Sequence, residues 1–204
     1  MDRKSIRQSM RRLRNALSTS EQNIAAEALR SNIQRHLLLR RNARVALYLP
    51  NDGEIDPRPL ITALSKRNIH CYLPVLHPTS KQRLWFFHFD NTTKMQTNRF
   101  GIKEPCIRYG QKVAPWTLTA ALFPLVAFDC EGGRLGMGGG FYDRTFAPKV
   151  QHARSLYDSI KLIGLAHHFQ QVSKLPIEPW DVPLSAIATD KGVIKVAKHE
   201  RPIN

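Results

Sequence analysis

The sequence predicts an α/β protein built on a mostly parallel sheet. Three observations lead there. Segments with helical periodicity alternate along the chain with short apolar runs, the order that gives parallel strands with helices packed over them. The apolar runs, such as Val45 to Leu49 and Ala120 to Phe128, are unbroken, as strands covered on both faces are. Six of the 11 glycines fall between Gly132 and Gly140, directly after one of those runs. Glycine there lets a strand open into a loop whose N–H groups can approach an anion. A chain of 204 residues suits one well-buried domain, expected over 1–197, with 198–204 a frayed tail.

Taken in order, Asp2 suits a helix N-cap, and Ile6, Met10, Leu13 and Leu17 then repeat as one apolar stripe. Lys4, Arg7, Arg11 and Arg14 form a separate cationic stripe, expected to face outward and supply charge to a phosphate. A second helix follows Ser18-Thr19-Ser20, buried through Ala25, Ala28, Leu29, Ile33 and Leu37. Arg40, Arg41 and Arg44 are placed near its end, where cations suit the helix dipole. Val45 to Leu49 reads as a strand ended by the turn Pro50-Asn51-Asp52-Gly53. Asp56 and Pro57 then start a helix with Leu60, Ile61 and Leu64 inward. His70 to Leu76 and Leu84 to Phe89 are strands, and 90–116 reads as a long irregular binding segment. The strand from Ala120, the longest expected, runs into the glycine loop. A short helix limited by Pro148 comes next, followed by a strand from Lys161 to Leu165. Ile187 to Thr189 and Val193-Ile194 close as a hairpin around Asp190-Lys191-Gly192. His167-His168 is a weak metal candidate, because adjacent residues on a strand point apart.

The formal charge of +15 is unevenly spread, with 11 Lys/Arg against three Asp/Glu in residues 1–44. That bias suits polyanions: nucleic acid, an anionic surface, or a phosphorylated or polycarboxylate small molecule. No helix-turn-helix, zinc, RNP or KH pattern supports specific nucleic-acid binding. No apolar run reaches the roughly 18–20 residues of a membrane span, and no secretory h-region is present. Cys71, Cys106 and Cys130 are odd in number without metal-ligand spacing, so free thiols in a reducing cytoplasm are expected. The glycine loop matches neither familiar phosphate fingerprint. It lacks the Lys of a Walker A loop, and Phe141 stands where the third glycine of G-x-G-x-x-G would be.

Phe123-Pro124-Leu125-Val126-Ala127-Phe128-Asp129 followed by Gly133-Arg134-Leu135-Gly136-Met137-Gly138-Gly139-Gly140-Phe141-Tyr142-Asp143 resembles the signature of the 5-formyltetrahydrofolate cyclo-ligase family. The likeness continues in the basic N-terminal helix, in Tyr48 to Asp56, in Phe100 to Pro105 and in Trp180 to Leu184. The resemblance implies a Rossmann-like three-layer sandwich and an enzyme that uses ATP and Mg²⁺ to cyclise 5-formyltetrahydrofolate to 5,10-methenyltetrahydrofolate. A cytoplasmic monomer is expected. By the same resemblance Arg3, Lys4 and Arg7 are ATP-binding cations. Arg134, Leu135, Gly136, Met137, Gly138, Gly139, Gly140, Phe141 and Tyr142 form the triphosphate loop, within which Arg134 and Tyr142 are the catalytic candidates. Glu54, Phe100 and Met137 to Phe141 meet the folate, and Asp143 and Asp181 hold Mg²⁺. Two departures stand out. Met137 and Gly139 replace an Arg and a Lys found in some members, with Arg11 and Arg14 candidates to compensate. Phe100 replaces a Trp.

Overall fold

The computed structural model describes residues 2–37, 39–80, 82–147 and 160–196. Helix α1 (Arg3–Ala16) starts where Asp2 accepts the Ser5 N–H at 2.7 Å. Helix α2 (Thr19–His36) starts at a capping box, Ser18 and Glu21 each accepting from the other's backbone. Both starts were legible in the sequence. The helix α2 ends at His36, so Arg40 and Arg41 lie beyond it in a turn and Arg44 opens strand β1 (Arg44–Ala46). They are therefore not helix-end cations. Helix α3 (Arg58–Ser65) is preceded by Pro57, while Asp56 one residue earlier accepts the Arg58 N–H at 2.8 Å.

Strands β2 (His70–Leu76) and β3 (Leu84–Phe89) match the expected bounds and pair antiparallel. The expectation of irregular chain over 90–116 fails. β4 (Met95–Thr97) and β5 (Lys103–Pro105) form a hairpin, and β6 (Lys112–Val113) pairs with β3. Buried Glu104 explains the hairpin's placement, since it accepts the Leu76 N–H at 3.1 Å, tying β5 to the end of β2. The run Ala120 to Phe128 is also not one strand. β7 (Ala120–Pro124) ends at its proline, and β8 (Ala127–Phe128) leaves the main sheet to pair with β9 (Arg134–Leu135). Helix α4 (Phe141–Phe146), strand β10 (Lys161–Ala166) and the antiparallel pair β11 (Ala186–Thr189) and β12 (Val193–Lys195) complete the described elements. Pro148 and the tail 198–204 lie outside the described residues.

The main sheet has the order β12-β11-β10-β7-β1-β2-β3-β6. Its five central strands, β11, β10, β7, β1 and β2, are parallel, and antiparallel strands close both edges. Alternate residues of each parallel strand enter two different cores. Val45, Leu47, Leu73, Leu122 and Ile163 pack under α2 and α3. Ala46, Tyr72, Phe123, Leu162 and Ile187 pack on the other face with Phe128, Phe146 from α4, and Val182. This two-sided burial is why the strands read as continuous apolar runs, and it gives the expected three layers.

The connections reverse direction between β1 and β7. From β1 the chain moves through α3 to β2 on one side, whereas β7 leads to β10 and β11 on the other. Ligands of open α/β sheets bind outside the carboxyl ends of the strands at such a reversal. Helix α1 lies across this edge, with Ile6 buried against Ala127, Leu135 and Leu175.

Candidate functional site

A cavity of about 960 Å³ opens at the reversal point, within the range that holds a small-molecule ligand. Its floor comes from strand ends: Tyr48 and Leu49 after β1, Leu73 and Pro74 in β2, Pro124 to Val126 after β7. Gly136 to Asp143 form one wall, and Arg3 and Arg7 of α1, Glu54, Phe100 and Asp181 also line it. The fold thus brings together most of the site residues that the resemblance assigns. Two of those are elsewhere. Leu135 is buried against Ile6 and Leu175, and Lys4 is exposed on α1, outside the cavity lining.

The cationic part of the lining is built from pairs. Arg3 donates to Asp181 Oδ2 at 3.2 Å and lies 3.7 Å from Glu178. Its Nε is buried and has no partner among the described residues. Arg7 donates to the Gly136 carbonyl at 2.8 Å. Arg134 is buried, donates to the Val182 carbonyl at 3.1 Å, and is paired with Asp143 Oδ1, which also accepts the Val182 N–H at 3.1 Å. Asp143 and Asp181 therefore flank one peptide, each facing one arginine. The described bonds fall on Oδ1 of Asp143 and Oδ2 of Asp181 only. Gly138 and Gly140 take φ of 92° and 65°, which a side chain would oppose. The N–H groups of Gly138 to Gly140 donate to no acceptor among the described residues.

The lining is also aromatic and acidic. Tyr142 stacks on Phe123 with centroids 4.6 Å apart, and Arg134 lies over the same ring. Burial, helped by the negative charge of Glu54, pushes the Tyr142 phenol above its ordinary range, so it stays a neutral donor. Phe100 is exposed at the tip of the β4–β5 hairpin and meets Phe141 edge-on at 6.0 Å. Asn98 holds that tip by accepting the N–H groups of Phe100 and Ile102. Glu54 accepts the Asn51 N–H at 3.1 Å, and burial pushes its carboxyl up to about 7.

Residues 1–190 match the model of the 5-formyltetrahydrofolate cyclo-ligase family. The chain belongs to that family. It is 43% identical over 183 residues to the 5-formyltetrahydrofolate cyclo-ligase of Haemophilus influenzae, covering 89% of this chain and 94% of that one. The Escherichia coli (strain K12) cyclo-ligase is 43% identical over 149 residues, 73% of this chain and 79% of its own. Among solved structures, the 5,10-methenyltetrahydrofolate synthetase of Aquifex aeolicus superposes with a TM-score of 0.77 at 29% identity, covering 100% of this chain and 97% of that one. The synthetase from Mycoplasma pneumoniae gives 0.72 at 25% identity, covering 93% and 99%.

Arg11 and Arg14 do not face the cavity as free charges, because both bond to Asp52. Arg14 is wholly buried and Leu13 is 46% exposed, so at that turn the two expected faces of α1 exchange, while Ile6 and Met10 pack inward as expected. The cation the sequence reading missed is Arg144, which lines the cavity and donates to the Gly139 carbonyl at 2.9 Å. Its signal was available: it sits one residue after Asp143, four residues after the last loop glycine. Lys103, Asn98 and Trp180 also line the cavity. Asn98 and Lys103 lie in the segment expected to be irregular, and Trp180 opens the family-like Trp180 to Leu184 segment without having been assigned a role.

Proposed function

We propose that this protein catalyses the ATP-dependent closure of 5-formyltetrahydrofolate to 5,10-methenyltetrahydrofolate in the cytoplasm, releasing ADP and phosphate. The formyl oxygen attacks the γ-phosphorus, N10 then attacks the activated formyl carbon, and phosphate departs. The observation that carries this reading is the mixed lining of the cavity. Arginines, two carboxylates and glycine N–H groups that meet no acceptor among the described residues line it together with Glu54 and the rings of Phe100, Phe141 and Tyr142. A triphosphate suits the first set and a pterin with N–H donors the second.

The residues divide the work accordingly. Arg3, whose buried Nε has no partner among the described residues, and Arg7 bind phosphate oxygens, as do the Gly138 to Gly140 N–H groups. Arg144 adds an exposed positive charge beside the glycine loop. Arg134 is fixed by Asp143 and Val182 and places positive charge behind the transferring group. Glu54 accepts from the pterin, Phe100 and Phe141 stack on its ring, and Tyr142 donates a hydrogen bond as the neutral phenol. Asp143 and Asp181 fit a magnesium site: each keeps one oxygen clear of the described bonds, and that ion is held by one or two carboxylates plus phosphates and water. When bound, Mg²⁺ neutralises charge on the phosphate oxygens.

The test is purified protein with Mg·ATP and 5-formyltetrahydrofolate, followed by near-ultraviolet absorbance of the methenyl product. Product is expected only when both ATP and Mg²⁺ are present. Folded protein giving no absorbance change at saturating ATP would overturn the reading. For the metal ligands, Asp143→Asn is the informative variant, since alanine would strand buried Arg134. Loss of turnover that excess Mg²⁺ partly restores is expected.

A further inference from the structure

The turn that carries Glu54 is held by the far half of the helix whose near half lines the cavity through Arg3 and Arg7. Arg14 Nη2 donates to Asp52 Oδ2 at 2.8 Å, and Nη1 reaches the Leu125 carbonyl at 3.3 Å. Arg11 adds two bonds to the Asp52 carboxylate, at 2.6 and 3.1 Å. Gln22 donates to the Gly53 carbonyl at 3.3 Å. Gly53 takes φ +70°, and a Cβ there would stand 2.8 Å from the Arg14 carbonyl carbon, so helix and turn touch backbone to backbone. Asp52 belongs to the turn after β1, and Leu125 follows β7. The Arg14 guanidinium therefore bridges the two strands between which the sheet reverses. Two turns earlier on the same helix, Arg7 bonds the glycine loop at Gly136.

We propose that Arg14 is a positioning residue that, through Asp52 and the Leu125 carbonyl, fixes the Asn51–Glu54 turn and makes α1 a strut joining the glycine loop to the turn that carries Glu54. This rests on reading Glu54 as the acid that meets the folate. An arginine is suited to the task, because its planar fork serves two acceptors at once, which a lysine cannot reproduce. The groups facing Glu54 are Arg14 from α1, Asp52 in its own turn, Tyr48 after β1 and Tyr142 from α4. The Arg14 charge favours the ionised Glu54, and the Asp52 charge opposes it.

Four variants test this: Arg14→Met, Arg14→Lys, Asp52→Asn and Glu54→Gln. For each, the KM for 5-formyltetrahydrofolate and for ATP are measured separately, with the pH profile of kcat/KM for the folate and a thermal melt. Arg14→Met is expected to raise the folate KM about tenfold, a fraction of what an ångström of misplacement can do, with the ATP KM within about twofold. Its acid limb moves to higher pH, Asp52→Asn moves the limb to lower pH, and Arg14→Lys recovers part of the folate KM. A merely structural Arg14 would move the melt but not the limb. If Arg14→Met folds and its folate KM and acid limb equal those of the parent while Glu54→Gln raises the folate KM, the strut is wrong and the reading of Glu54 stands. If Glu54→Gln leaves the folate KM unchanged, the reading beneath it fails. Should Arg14→Met not fold, Asp52→Asn decides: an unmoved limb and unchanged folate KM overturn the proposal.

Discussion

The glycine cluster divides into two regions with opposite purposes. Gly132 and Gly133 make the turn between β8 and β9, around buried Asp129, which accepts the N–H groups of Glu131, Gly133 and Leu175 at 3.0, 2.8 and 2.9 Å. A Cβ on Gly133 would stand 2.5 Å from that carboxylate. Gly136 to Gly140 instead line the cavity, and a Cβ on Gly136 would meet nothing within 4 Å. The first pair is glycine because protein atoms occupy the space. In the second group Gly136 and Gly138 have room for a Cβ, whereas one at Gly139 or Gly140 would press on Phe141 or Arg144. Under the proposed function, one cluster in sequence is a folding device followed by a binding device, with Arg134 and Leu135 pairing as a strand between them.

That contrast can be broken in four ways, from the largest effect to the smallest. Gly133→Ala pushes the Asp129 carboxylate off its three donors, and should cost about 3–4 kcal/mol of stability by urea denaturation. Activity per folded molecule is retained. Glu54→Gln should do the reverse. A carboxyl raised from 4.5 to about 7 contributes stability below its unfolded pKa that is lost as pH rises through 7. The amide should therefore stabilise the fold by up to about 2 kcal/mol at pH 8 and by little at pH 4, while folate affinity falls; comparing melts at the two pH values checks it. Gly140→Ala forces a side chain onto φ 65° and displaces Arg144. It should cost about 1 kcal/mol in stability and raise the ATP KM more than the folate KM. Met137→Arg adds a cation to an exposed cavity residue and should lower the ATP KM about threefold at low salt, a gain that fades as ionic strength rises. If Gly133→Ala damaged turnover without touching stability, the division into two devices would be lost.

Local chemistry was legible where each residue's neighbours in sequence are also its neighbours in space. The Asp2 and Ser18 caps, the bounds of β2 and β3, and the β11–β12 hairpin are of that kind. The errors arose where a distant segment decided. Helix α1 shows this residue by residue. Ile6 and Met10 face the core as their type suggests, but at the next turn the neighbours are Asp52 and the Leu125 carbonyl. A buried polar surface needs a donor, so Arg14 goes in and Leu13 stays out. The break of the Ala120 to Phe128 run is similar, since Leu125 must satisfy Leu165, Arg14 and Gln170 through its backbone.

The cluster of glycines, the two carboxylates and the cationic helix were all determined by the sequence alone, because residue type sets what a group can donate, accept or leave empty. The tertiary structure decided which of those groups remain available. It paired Arg134 with Asp143 and Arg3 with Asp181, withdrew Arg11 and Arg14 to Asp52, and brought Arg144 and Glu54 to the same cavity. Pairing and burial depend on distances across the fold, and a linear chain does not contain those distances until β1 and β7 are set side by side.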